Sequence, residues 1–590
     1  MNTKPILYRL TPADPAGHYI CVELVIDAPC AEGQRVSLPA WIPGSYLVRD
    51  FSRHIVSIRA SSLDGDVPLS KLSNHAWHAA PCSGPLTIRY TIYAWDLSVR
   101  GAHFDETHAF FNGTSVFLQV HGQEHTECLL ELQAPPHRND WKVYTSLPEA
   151  PAGRFRGGAR RHGFGLYLAP DYDALIDHPV ELGTPQVARF TACGAEHELV
   201  FTGVIPGLDL ERVTNDVQKI CETQIRFFEP ETARAPFLDS SNRYVFMTMV
   251  TGDGYGGLEH RASTALMASR NDLPVKGQAS TPEGYITFLG LVSHEYFHTW
   301  NVKRIKPAAF VPYQLDRENH TRLLWVAEGF TSYYDDLMLL RAGLIDEEKY
   351  FSLLTKTIDT VSNAPGRLRQ SVTESSFDAW TRFYKQDENA ANALVSYYTK
   401  GSLVALGLDL LLRQSTRDLR SLDDVMRLLW NRYGREFYQG HLQGIPEHAM
   451  VSLIKEATGV DVSAFITRYV EGCEDIPLKT LFDAAGIQLE QAQPSSTLSL
   501  HARTRVIQGR VELASVLNGG PAHTAGLSAH DQLVAINGLR ISDPKDVEQS
   551  LRSCRPGQAV DVHVFRRDEL RAFTVHPAPA QPGHTLKRTV

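Results

Sequence analysis

The chain reads as a multidomain α+β protein, on three observations. Up to about residue 205 apolar and polar side chains alternate; from about 206 to 488 apolar residues recur every three or four positions; after about 489 both patterns return in a shorter mixed unit. The expected parts are an N-terminal all-β domain (1–205), a mainly α-helical domain (206–488) and a small mixed domain (489–580). The polar tail, 581–590, is expected to be disordered.

In the first part, LTIRYTIYA (86–94) alternates as a half-buried strand should, and CVELVID, RVSLPAW, RHIVSIRA and SVFLQV are further short strands between Gly, Pro and Asp turns. HELVFTGV (197–204) is expected to be the last of them. LERVTNDVQKICETQIRFF (210–228), LLWVAEGFTSYYDDLMLL, SYYTKGSLVALGLDLLL and SLDDVMRLLWNRY carry helical spacing, with one strand-like run, RYVFMTMV (243–250). The segment EQAQPSSTLSL marks the second boundary, near 490–500.

A length of 590 residues predicts three or four domains at roughly 150 residues each. Hydrophobic content of 43% and charged content of 21% are those of a globular protein, and a net charge of −9 leaves no footprint for nucleic acid. No run approaches the ~18 apolar residues of a membrane span, and the N-terminus lacks the apolar core of a signal peptide. The eight cysteines include no CxxC pair, so reduced thiols and a cytoplasmic location are the expectation.

The chemistry concentrates in SHEYFHTW (293–300). His294 and His298, four apart on a helix, share one face and can aim their imidazoles at one point, while Glu295 is displaced by about 100° and can reach a water there. That pattern suits zinc, with two nitrogen ligands and a carboxylate base. The competing reading is a helix with one buried and one solvated histidine. A third ligand is required, and Glu328 in LLWVAEGFTSYYDDL, behind Leu323, Leu324, Trp325, Val326 and Ala327, is the strongest candidate. A carboxylate in apolar surroundings needs a cation to meet it. Asp316, Glu318 and His320 are weaker rivals in a polar loop, and Asp335 or Asp336 can orient a ligand histidine.

Two further segments carry parts of a site. In GDGYGGLEH (252–260), Gly256 and Gly257 allow close backbone approach and Glu259 offers a carboxylate at a cleft edge, followed by His260. In SYYTKGSLVAL (396–406), a tyrosine hydroxyl, Tyr397 or Tyr398, can donate to an oxyanion. Taken singly, both features are more often structural.

Together these motifs resemble the glycyl aminopeptidase family of zinc metallopeptidases, gluzincins with an N-terminal β-domain, a thermolysin-like catalytic domain and a C-terminal PDZ domain. LPAWIPGSYLVRDFSRH (38–54) is similar to that family's N-terminal signature, and GGLEH, HEYFHTWNVKRIKP and WVAEGFTSYYDDL to its catalytic set. A more distant similarity reaches the aminopeptidase N family through GGLEH, HExxHxW, W-x-x-E-G and Y-x-K-G. The resemblance implies one zinc per chain on His294, His298 and Glu328, Glu295 as general base, Glu259 binding the substrate's α-ammonium, and Tyr398 as oxyanion donor, with Tyr397 the weaker candidate. Leu258 and His260 depart from the distant family's Met and Asn, and thirty positions separate His298 from Glu328, more than in that family. PAHTAGLSAHDQLVAING (521–538) resembles a PDZ domain, which implies a peptide or protein ligand bound by strand addition.

The expected function is a zinc-dependent aminopeptidase releasing N-terminal glycine or alanine from peptides with a free N-terminus. The alternatives are a zinc endopeptidase of the same chemistry and a PDZ-containing peptide-binding protein.

Overall fold

The computed structural model describes residues 4–278, 280–492 and 497–589, which fall into two units; part of the boundary segment predicted near 490–500 lies outside them. One unit comprises residues 1–319, 341–344 and 429–446, and the other 320–340, 345–428 and 447–590.

In the first unit the alternation of the sequence becomes a seven-stranded sheet, ordered Gly165–Ala169, Cys128–Leu132, Ile6–Asp14, Tyr19–Ile26, Leu86–Tyr93, Ile55–Ser62, Gly65–Val67. Its inner face is built from every second residue: Ile6, Tyr8 and Leu10; Ile20, Val22 and Leu24; Leu86, Ile88 and Tyr90. Buried tyrosine hydroxyls need acceptors, and three find them on consecutive carbonyls: Tyr90 donates to Val116 and Tyr8 to Leu118, each at 2.7 Å, and Tyr172 to Phe117 at 2.7 Å. Two four-stranded sheets complete this β-region, whose own strands end at Gly183.

The strand expected to close the N-terminal domain belongs elsewhere. Ala195–Thr202 lies parallel to Arg243–Thr251 in a five-stranded sheet ordered Gln186–Ala192, Ala195–Thr202, Arg243–Thr251, Ser263–Ser269, Gly256–Glu259. The physical reason is legible in burial: all but one of its residues are buried, as in a central parallel strand covered on both faces. Against this sheet's layer pack two helices, Leu210–Phe228, started by the Asp209 side chain accepting from the Arg212 N–H, and Glu283–Phe297. Gln224 pins one to the other, its amide donating to both the hydroxyl and the carbonyl of Ser293 at 2.9 Å.

The second unit is largely helical before residue 485 and carries the small mixed domain after it. That domain is a sheet of Ala502–Ile507, Arg510–Val516, Gln532–Ile536, Val560–Arg566 and Glu569–Val575 with helices Pro521–Ala525 and Pro544–Arg552. Val511, Leu513, Leu533, Ile536, Leu551, Val562 and Val564 fill its core. The tail expected to be disordered forms a strand instead: His584–Arg588 pairs antiparallel with Ile487–Gln491. Leu586 turns inward from it, and the His584 N–H and ring Nδ1 both bond Asp359, at 3.0 and 2.7 Å, so the tail has a partner the local sequence does not show. Among the described residues no helix is long and apolar enough to cross a membrane.

Candidate active site

The helix Glu283–Phe297 buries Tyr285, Phe288, Leu289, Val292, Tyr296 and Phe297, so its polar residues are placed by packing rather than by solvent. His294 lies in its last turn and His298 caps it. Their Nε2 atoms stand 3.0 Å apart with the rings at 85°. The Nδ1 of His298 lies 2.7 Å from the Asn301 carbonyl, which only accepts, so that nitrogen carries the proton and Nε2 presents a lone pair. Two ring nitrogens converging at that angle suit a zinc ion, whose two nitrogen ligands at ~2.05 Å would lie roughly 3.3 Å apart. For His298 the orienting role expected of Asp335 or Asp336 is filled by this backbone carbonyl.

Gly256–Glu259 is the edge strand of the five-stranded sheet and runs antiparallel to Ser263–Ser269. It brings Glu259 beside the helix. One ligand-type atom each from Glu259, Glu295 and His298 lies within 4.8 Å of the others, and all three residues are buried. Two glycines make this packing possible. A Cβ on Gly257 would lie 2.0 Å from a Glu295 carboxylate oxygen, and one on Gly44 would lie 2.5 Å from both oxygens of Glu259. At Gly256 a Cβ would meet nothing within 4 Å, which leaves that side of the strand open.

Gly44 sits at φ +94° in the WIPGSY loop. The loop is fixed by the Trp41 indole donating to the Gln314 carbonyl at 2.9 Å, by Arg49 donating to the Ser45 hydroxyl at 2.7 Å, and by Tyr46 stacked on Phe310. His260, expected to touch substrate, is buried and donates from Nδ1 to Asp177 at 3.1 Å. Burial pushes its pKa below the usual histidine value, with Asp177 opposing. Asp177 also receives Lys303 at 2.8 Å and Arg261 at 2.9 Å, and against its burial the Lys303 charge leads in holding the carboxyl well below its ordinary range. This cluster anchors the strand end that carries Glu259.

In the second unit, Glu328 lies in a widened helical turn, Trp325–Phe330, continued by Thr331–Arg341. All six residues of the turn are buried. A Cβ on Gly329 would lie 2.7 Å from the Cα of Gly401, and one on Gly401 would lie 2.9 Å from the Cα of Gly329. The Glu328 turn and the helix Thr399–Thr416 therefore touch backbone to backbone, with the Tyr397 carbonyl 2.9 Å from the same Gly329 Cβ position. Tyr397 is wholly buried; burial, then Tyr384 and Glu328, push its hydroxyl well above the usual tyrosine value. Tyr398 caps the helix and is half-buried.

A second constellation, His103, Asp105 and His108, has ligand-type atoms within 4.8 Å of one another. Its rings are stacked at 29°, so their in-plane lone pairs run side by side instead of meeting. Asp105 closes the hairpin by accepting from the Thr107 and His108 N–H groups, and His108 bonds Glu181 at 3.0 Å. Such an arrangement stitches a turn.

Family models match the M61 peptidase N-terminal domain over residues 7–184, the M61 glycyl aminopeptidase over 287–404 and a PDZ domain over 485–576. The crystal structure of an aminopeptidase N family protein from Idiomarina loihiensis is 40% identical, covers 99% of this chain and 98% of its own, and superposes with a TM-score of 0.92. The chain belongs to the M61 glycyl aminopeptidase family. It is a metallopeptidase with a PDZ domain at its C-terminal end. The M1 zinc metallopeptidase of Deinococcus radiodurans is a remote neighbour, at 12% identity and a TM-score of 0.48 over 81% of this chain and 95% of that one. A probable periplasmic serine endoprotease of the DegP-like type from Brucella suis matches at 32% identity over 63 residues, 11% of this chain and 12% of that relative's length.

Sequence reasoning singled out the two histidines and the acidic residues but not Gly44, Asn301 and Asp177. Asn301 and Asp177 leave no spacing signal; Gly44 lies in the quoted N-terminal signature, where the Pro-Gly pair marks a turn but not what the turn faces.

Proposed function

We propose that this M61 metallopeptidase is a zinc-dependent aminopeptidase that releases N-terminal residues, glycine and alanine by preference, from peptides with a free N-terminus. The observation that carries the reading is the buried trio of Glu259, Glu295 and His298. It sets an anionic anchor beside a base and a metal-type nitrogen, so a substrate amine bound at one lies within a residue's length of the other.

In this reading His294, His298 and Glu328 hold one zinc per chain. When bound there, zinc supplies a Lewis acid that polarises the scissile carbonyl and acidifies water. Glu295 accepts a proton from the attacking water and returns it to the leaving amine. Glu259 binds the α-ammonium, which places the first peptide bond at the reacting centre. Gly256 and Gly257 let the substrate backbone approach, and His260 with Asp177 steadies the strand they belong to. Tyr398, the more accessible of the two tyrosines, donates its hydroxyl to the developing oxyanion. The first residue's ammonium meets Glu259 against the backbone wall of Gly44, which supports a preference for small first residues.

Metal analysis tests the ligand set. One zinc per chain is expected in the wild type and a several-fold weaker hold in Glu328→Ala and His294→Ala; unchanged zinc content in Glu328→Ala would remove that residue from the set. An endopeptidase of the same chemistry remains the second reading, because zinc, base and tyrosine would serve it equally; Glu259 separates the two.

A further inference from the structure

Several contacts join the PDZ end to the catalytic part of its own unit, among them His530 with Glu388 at 3.8 Å and His584 with Asp359. One side chain, Asn392, bonds two PDZ backbone groups at once, while its amide also donates to Asn389 at 3.2 Å. Asn392, 3% exposed, donates its amide to the Val516 carbonyl at 2.9 Å and accepts from the Asn518 N–H at 2.9 Å. Val516 ends the strand Arg510–Val516, and Asn518 lies in the turn that leads into the helix Pro521–Ala525. Asn392 thus reads two backbone groups of the PDZ domain as a neighbouring strand would.

Six residues later comes Tyr398, and the segment between them is pinned almost residue by residue. The Leu394 backbone lies over Gly366, where a Cβ would come within 2.1 Å of the Leu394 carbonyl oxygen. The Val395 N–H donates to Gln370 at 3.0 Å, and its carbonyl accepts from the Ser375 hydroxyl. The Ser396 hydroxyl accepts from the Tyr398 and Thr399 N–H groups at 3.2 Å, which starts the tyrosine's helix. The Tyr398 ring then packs on Tyr397 and Phe383, with centroids 4.7 and 5.8 Å away. A chain held at this many points transmits a displacement at Asn392 instead of absorbing it.

We infer that the PDZ domain, through Asn392, is a positioning element for the Tyr398 hydroxyl. The inference rests on the role proposed above for Tyr398. An oxyanion donor acts only within about 2.7–3.1 Å of the developing charge, and a misplacement near 1 Å costs on the order of a hundredfold in rate. Asn392 touches no reacting atom and acts through the tyrosine.

The test is a double-mutant cycle on the full-length, zinc-loaded protein with glycyl-p-nitroanilide, reading kcat and KM separately together with zinc content. Asn392→Ala is expected to lower kcat by about tenfold or more, with KM and zinc content unchanged, and to have no further effect in the Tyr398→Phe background. Asn518→Pro deletes one of these two bonds, that of the Asn518 N–H, from the PDZ side and is expected to reproduce part of the loss, so misfolding of either single variant leaves the other to decide. An equal loss in both backgrounds, or no loss, overturns the inference. A Tyr398→Phe variant with wild-type kcat instead overturns the proposed role of the tyrosine, a separate result.

Discussion

Gly44 and Glu259, 215 positions apart in sequence, are in contact: a Cβ on the glycine would lie 2.5 Å from both carboxylate oxygens. A loop of the N-terminal β-region therefore forms one wall of the proposed ammonium anchor. Gly44→Ala is expected to raise KM for glycyl-p-nitroanilide about tenfold with a smaller change in kcat, because it displaces the anchor and not the base. Glu259→Asp, one methylene shorter, withdraws the carboxylate from that wall. The double variant should recover part of the loss of Gly44→Ala, and strictly additive losses would show that the contact does not matter.

The Gly329–Gly401 contact makes a different prediction, since both partners are backbone. Neither can swing aside as a side chain would, so Gly329→Ala must part the two helices. It is expected to cost about 1–3 kcal/mol in urea unfolding and to weaken zinc retention through Glu328. Unchanged stability and zinc content would contradict the packing described.

Lys306 predicts a pH dependence of stability. It is buried, 2% exposed, with its ammonium 4.5 Å from the Tyr313 ring, 4.7 Å from Phe437 and 5.5 Å from Tyr438. Burial, aided by Lys303 and Arg261 and opposed by Asp173 and Asp177, lowers its pKa to about 7. An unfolded lysine titrates near ~10.4, so between these values the unfolded chain binds one more proton than the native protein. Stability from this group therefore rises with pH, from about 7 to about 10, by up to ~1.4 kcal/mol per unit. Lys306→Met should remove that rise and be at least as stable as wild type at pH 6. Parallel stability curves for the two proteins would refute it.

Much of the fold was legible because it rests on local pattern. The runs CVELVID, RHIVSIRA and LTIRYTIYA became strands of the seven-stranded sheet, whereas RVSLPAW and SVFLQV supplied only Gln34–Ser37 and Gln119–Val120 to a separate four-stranded one. The helical runs became the helices that carry His294, Glu328 and Tyr398. Misassignments arose where a segment's partner is remote. Ala195–Thr202 has strand propensity whichever sheet it joins, and only its near-continuous burial shows that it is central to the five-stranded one. The tail Leu586 needs Ile487–Gln491, about a hundred residues away, to become a strand. At the site, residue type and spacing pointed to metal-type groups, whereas Gly44, Asn301 and Asp177 act through backbone or through ion pairs closed only by the tertiary fold.

The most direct measurement compares glycyl-p-nitroanilide with its N-acetyl analogue on zinc-loaded wild type and Glu259→Ala. An aminopeptidase anchored by Glu259 cleaves the free-amine substrate alone, and Glu259→Ala loses about tenfold or more of that activity through KM while keeping its zinc. Equal cleavage of the acetylated substrate by the wild type would contradict this and assign the same zinc chemistry to an endopeptidase.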